Sequence, residues 1–281
     1  MEQEKALKVL KPGRIVFPVI LGLLVVFIVA YRDDQLNADS LRLFKDFRLI
    51  HVAVILLVLG VKDLLNAFRF RFLSHLQWPW ASALRVILLW EFAIAVTPPV
   101  VGAATVLLFI IYKEGQSFGK AVAFTLMLAG LDNIFFITAA PLAIFFSQGA
   151  VFPPTTEAAK FLDDSVSGLF WLSYGLIIIY TLLIFSSVFW FPKTIRKIQL
   201  SIMSVSFLKK WKAVVEKQSD ELVMASEILK GRGIKYWLVL IALSYAVWSL
   251  KYVLVSVILN GFVPVQLSEH FLIVGRHVVM W

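Results

Sequence analysis

Five charged side chains stand inside apolar stretches of this sequence: Lys62, Asp63, Glu91, Asp132 and Arg276. A charge at the centre of a bilayer costs roughly 2.5–3.5 kcal/mol on insertion scales, so such residues should face a bundle interior and find partners. Glu91 is the most suggestive. Shortly after it the apolar stretch is interrupted by Thr97-Pro98-Pro99, and it resumes at Val100. Proline lacks an N–H and restricts the residue before it, so a continuous helix should not pass through. An opened helix with an acid beside the break is the design of a membrane-embedded binding site. Lys62, Asp63, Glu91, Pro98, Pro99, Gly102, Asp132 and Arg276 are the candidate substrate-binding residues. In such a site an arginine can fork two hydrogen bonds to a phosphate, while acids couple protons or bind a cationic group. The plainer reading is structural: Lys62 or Arg276 pairs with Asp132 or Glu91 and holds helices together. Lys251 is a weaker case, because a lysine can snorkel to the interface.

Other chemistry finds little support. The chain has no cysteine, which excludes disulfides, thiolate metal sites and cysteine nucleophiles. His51, His75, His270 and His277 form no HExxH-type pair, so no metal site is expected. There is no G-x-S-x-G, no paired-carboxylate motif and no Walker A, so neither an enzyme nor a bound cofactor is expected. Gly231-Arg232-Gly233 is too short for a phosphate loop and should end a helix before Tyr236.

The elements that position these charges follow from composition. Of 281 residues 60% are hydrophobic, and the mean hydropathy is +0.86. A soluble core could not hide that much apolar side chain, so the fold class is all-α, a polytopic helical membrane protein forming a single transmembrane domain over 1–281. Spans are expected at 15–31, 49–68, 118–146, 168–191 and 236–259, with an incomplete apolar run at 270–281. Because that run is still apolar where the chain stops, the sequence reads as truncated. Trp78, Trp80, Trp190, Trp211, Tyr236 and Trp237 sit where spans should meet headgroups. The N-terminal basic cluster with its apolar run resembles a signal peptide but lacks a small-x-small cleavage site, so it reads as a retained first span. The net charge of +9 fits positive-inside bias and attraction to anionic lipid better than nucleic-acid binding.

Loop charge then sets the topology. The N-terminus is basic, as is 69–85 with Arg69, Arg71 and Arg85, so both are assigned to the cytoplasm. Segment 147–165 is acidic and is assigned outside. Segment 192–235 carries ten Lys/Arg against four acids, a net of +6, and is assigned inside. The parity works only if 83–111 enters from the cytoplasm, turns at Thr97-Pro98-Pro99 and returns as a re-entrant hairpin. A single kinked helix is the alternative. Within 192–235, Ile195, Ile198, Ile202, Val205, Leu208 and Trp211 recur at three- and four-residue steps among lysines and arginines. That is the pattern of a basic amphipathic helix on the inner leaflet.

The run EFAIAVTPPVVGAATVLLFIIYKEGQSFGK (91–120), followed by AVAFTLMLAGLDNIFF, resembles the transmembrane region of lysylphosphatidylglycerol synthases and the wider flippase-like family that shares it. Pro98, Gly102, Tyr112, Lys113, Gly115 and Asp132 match that family's scheme of a Pro/Gly break, a tyrosine–x–x–glycine connector and an acid-bearing helix. Ala103 stands where a second glycine is common. The ending VGRHVVMW is similar to the stretch that leads into the family's second break. The resemblance implies inverted repeats, each with a re-entrant element, in a bacterial inner-membrane unit that moves lipids or polyprenyl-linked headgroups between leaflets. The synthases' aminoacyl-transferase domain is missing here, so lysyl transfer is not expected. Two function classes stay open. One is a lipid flippase or transporter. The other is a non-transporting scaffold or a partner subunit of a lipid-modifying enzyme. The expected partners are anionic membrane lipids, with a homo-oligomer or a membrane enzyme partner open.

Overall fold

The computed structural model describes residues 24, 28, 47–96, 103–152, 160–204 and 212–280. These form helices, with no strand among the described residues: α1 (Leu49–Leu73), α2 (Trp80–Val96), α3 (Ala103–Lys113), α4 (Phe118–Phe146), α5 (Lys160–Phe185), α6 (Pro192–Ile202), α7 (Lys212–Lys230), α8 (Ile234–Phe262) and α9 (Leu267–Val279). Four stretches are long and apolar enough to cross a hydrocarbon core: α1, α4, α8 and Ser167–Trp190, which runs from α5 into a π turn at Ser186–Trp190. By contrast α2 and α3 have 17 and 11 residues, or about 26 and 17 Å of helix at 1.5 Å per residue.

The expected span 118–146 coincides with α4, and 236–259 lies within α8. The helix over the expected span 49–68 runs further: α1 continues to Leu73 and carries Arg69 and Arg71 with it. Those two side chains can leave water because both find partners, Arg69 inside the bundle and Arg71 through Nε to the Trp78 carbonyl at 2.7 Å. The run expected at 270–281 is α9, which starts at Leu267 behind a capping box between Gln266 and Glu269. The first expected span, 15–31, lies outside the described residues except Leu24 and Ile28, both helical. Pro98, Pro99 and Gly102 also lie outside them.

α1 and α8 run antiparallel along their whole length. At one end Tyr236 Oη donates to the Leu73 carbonyl at 2.8 Å, and the Phe72 and Tyr236 rings stack at 5.2 Å. At the other, the Phe47 and Phe262 rings meet at 4.7 Å. α4 is the most buried of the spanning helices and touches α3, α5, α7, α8 and α9. Its Pro141 cannot donate to the Ile137 carbonyl one turn back. Tyr174 Oη of α5 donates to that carbonyl instead, at 2.8 Å. A membrane interior requires such repair, because it has no water to satisfy a freed backbone group.

Segment 192–235 is not one surface helix. α6 ends at Ile202 and α7 begins at Lys212, with 205–211 outside the described residues. α7 packs against α6 and against the start of α4, burying Leu222, Ala225 and Leu229. The amphipathic pattern expected over Ile195–Trp211 is thus interrupted after Ile202, and the second helix has a docked face that periodicity alone did not reveal. Gly231 and Gly233 lie between α7 and α8, as expected.

Candidate functional site

Two polar stripes face each other across the α1–α8 contact. On α1, buried Lys62, Asn66 and Arg69 stand at i, i+4 and i+7. On α8, Ser244, Trp248 and Lys251 repeat the same spacing. This spacing puts three residues on one helix face, and the antiparallel run sets Arg69 opposite Ser244. Arg69 is only 1% exposed. Its Nη1 donates to Ser244 Oγ at 3.0 Å and also to Asp132 Oδ1 in the middle of α4. One guanidinium therefore ties three spanning helices.

Two turns along α1, Lys62 is 5% exposed. Its Nζ lies 2.9 Å from Asp63 Oδ1 and 2.9 Å from Glu91 Oε1 on α2. The two carboxylates form the open side of this cluster, with side chains 21% and 30% exposed against 6% for Lys62. Lys251 lies 4.4 Å above the Trp248 ring and interacts electrostatically with Glu91, Lys62 and Asp132. The seam thus gathers three cations, Lys62, Arg69 and Lys251, and three carboxylates, Asp63, Glu91 and Asp132. It can exchange partners with an ionic group of either sign.

The short helices α2 and α3 hold Glu91 in place. Arg85, near the start of α2, pairs with Glu114 just after α3 at 3.0 Å. Trp90 Nε1 donates to the Ala103 carbonyl at the start of α3 at 3.0 Å. The start of α2 therefore meets the end of α3, and residues on either side of 97–102 lie together.

Of the candidate residues, Lys62, Asp63, Glu91 and Asp132 are brought into the seam. Arg276 is not. It pairs with neither Glu91 nor Asp132. Its Nε and Nη2 lie 3.4 and 3.3 Å from the Ala150 carbonyl, beyond the end of α4. The reason is position: α9 sets Arg276 beyond the end of α4, whereas Asp132 stands in the middle of α4 and is held by Arg69. Near Arg276 lies an apolar cavity of 240 Å³ between α4, α5 and α9, lined by Phe136, Ala140, Phe170, Tyr174 and Val279 among others. It is separate from the charged seam. Arg69 is not conspicuous in the sequence, because an arginine at the end of an apolar run has the look of a loop charge. Its spacing of seven from Lys62 was the available signal.

The model of one protein family, the lysylphosphatidylglycerol synthase TM region, matches residues 15–274. No curated protein and no solved structure matches the chain. The match spans most of the sequence, including every helix that lines the seam, and the chain belongs to the family of lysylphosphatidylglycerol synthase transmembrane regions.

Proposed function

We propose that this integral membrane protein moves an amphiphile with a charged headgroup, a lipid or polyprenyl-linked molecule, between leaflets. The observation that carries this reading is the Lys62–Glu91 contact: a buried lysine in a spanning helix is held by an acid on a helix too short to cross. The acid is the more exposed partner, so a headgroup can reach it and compete for the lysine. In this reading α2 and α3 form a re-entrant hairpin, a fit with their lengths and with the Arg85–Glu114 and Trp90–Ala103 contacts. The N-terminus and segment 192–235 face the cytoplasm of a bacterial inner membrane. Arg276, in the second half, is a further contact for an anionic headgroup, and α1–α2 and α8–α9 belong to two inverted halves. The membrane lipids it meets are anionic, and neither catalysis nor a cofactor is assigned.

A specific observation favours the second reading, a non-transporting scaffold or partner subunit. Arg69, Asp132 and Ser244 are buried together, the last two joined through the Arg69 guanidinium, as helix glue would be. Reconstituted variants separate the two readings. Transport requires that E91Q lose lipid movement per folded molecule while R69M mainly loses stability. A scaffold requires that both variants change stability alone.

A further inference from the structure

The α6–α7 hairpin takes no part in the seam, yet each face of α6 has a distinct environment. Arg196 and Gln199 turn to α7. Arg196 bonds Asp220 and lies 3.5 Å from Glu216, and Ser219 Oγ donates to Gln199 Oε1 at 2.7 Å. A second face carries Ile198 and Ile202, both at least half exposed. It continues from Trp190 and Phe191, which are more exposed still; Trp190 ends a helix long and apolar enough to cross the membrane, and Phe191 follows it. Lys193 and Lys197 are both exposed, Lys193 with its Nζ 3.4 Å from Glu227 Oε1 of α7. The whole segment 192–235 has ten Lys/Arg against four acids.

α7 in turn sits on the first turn of α4. A Cβ at Gly119 would come within 2.7 Å of the Gln218 carbonyl and of the Leu222 nitrogen, so only glycine lets the two helices approach this closely. The Gly119 N–H donates to Glu221 Oε2 at 3.2 Å, where an acid also suits the positive end of the helix dipole. Ala123 of α4 packs with Leu222 and Ala225. The same α4 carries Asp132, about two and a half turns beyond Ala123.

We infer that α6 docks on an anionic lipid surface, with Trp190, Phe191, Ile198 and Ile202 among the acyl chains, and that α7 passes this docking to the start of α4. Charge and continuity choose the occupant. The exposed apolar stripe extends a membrane-crossing helix, so it reaches the bilayer at the interface. Exposed Lys197 and the excess of Lys/Arg over acids in 192–235 favour anionic headgroups, whose attraction fades within a Debye length. The docking surface stands on this geometry alone. Only its effect on lipid movement rests on the transport reading.

The cysteine-free chain allows single nitroxide labels at I198C, I202C and K197C in the whole protein. The protein is placed in nanodiscs of phosphatidylcholine, with or without phosphatidylglycerol. With phosphatidylglycerol present, labels at I198C and I202C should be open to oxygen and shielded from a water-soluble nickel chelate, and K197C the reverse. Equal nickel access at I198C and K197C in both lipids overturns the docking. So does shielding of I198C from oxygen and nickel alike, which would mean that protein covers the stripe. Hydrogen exchange tests the link to α4. Exchange at Gly119 should slow several-fold when phosphatidylglycerol is present, and E221Q should abolish that response while I198C stays lipid-facing. An unchanged Gly119 rate in both lipids overturns the transmission. If lipid movement is absent while I198C lies in lipid, the transport reading fails and the docking surface survives.

Discussion

Lys62 Nζ lies 2.9 Å from Glu91 Oε1, joining the middle of a membrane-spanning helix to a helix too short to span. The same nitrogen is 2.9 Å from Asp63 Oδ1, so the two acids are not equivalent to the lysine in their consequences when removed. Losing Lys62 leaves two carboxylates facing each other. Losing Glu91 leaves Lys62 with Asp63. Removing one partner of a buried pair costs about 3–5 kcal/mol, whereas a single hydrogen bond to a charged group is worth about 1.5–3 kcal/mol. K62M should therefore unfold at a distinctly lower temperature than E91Q in detergent melts. Equal melting temperatures would show that Asp63 does not share the lysine.

The Arg69–Asp132 pair should behave as helix glue. R69M and D132N should each lose about 3–5 kcal/mol, and the double variant R69M/D132L should recover most of it, because apolar packing can replace a buried pair. S244A should lose less, roughly 0.6–1.7 kcal/mol, as interhelical hydrogen bonds in membranes do. Thermal melts of the four proteins decide this. A double variant no more stable than the singles would contradict it.

Much of this was legible before the structure. Hydropathy located α4 at Phe118–Phe146 because both ends change sharply in composition, with Ser117 before and Ser147-Gln148-Gly149 after. The acids of the site were legible because a carboxylate in an apolar run is conspicuous. Arg69 was not, since an arginine near a span end looks like a loop charge until its partners on α4 and α8 are known. Of the two roles open to Arg276 in the sequence, headgroup contact or an acid pair, the fold does not make the pair with Glu91 or Asp132 and leaves the side chain beside the Ala150 carbonyl. The docked face of α7 depends on the missing side chain at Gly119, a contact between segments a hundred residues apart.

Topology gives a third prediction. The start of α4, the end of α1 and the start of α8 lie toward α7 or toward one another, whereas 147–152 lies at the far end of α4. Cysteines introduced singly at K113C, K217C and A150C use exposed positions in a chain without native cysteine. An impermeant maleimide should reach K113C and K217C from the same side and A150C from the opposite one. Opposite labelling of K113C and K217C would mean that 83–111 crosses instead of returning.

His75 gives a pH prediction. It follows α1, stacks on Tyr236 at 5.4 Å, and its pKa is lowered by burial first and by the Arg232 charge second. The unfolded chain then takes up a proton that the folded chain resists. Stability from this residue is complete above the ordinary value of 6.5 and falls as pH drops below it. Melts across that range should show H75Q losing less stability on acidification than the parent protein. Parallel pH profiles would remove His75 from the account.

The central claim is lipid movement, and the direct measurement is reconstitution of the full-length protein into liposomes with fluorescent phospholipids or polyprenyl-phosphate analogues. Movement between leaflets is followed by quenching the outer leaflet. The account predicts faster movement of at least one charged-headgroup probe than in protein-free liposomes, lost in E91Q reconstituted at equal folded density. No acceleration of any probe, with and without a pH gradient, would contradict it and leave a scaffold held together by its buried charges.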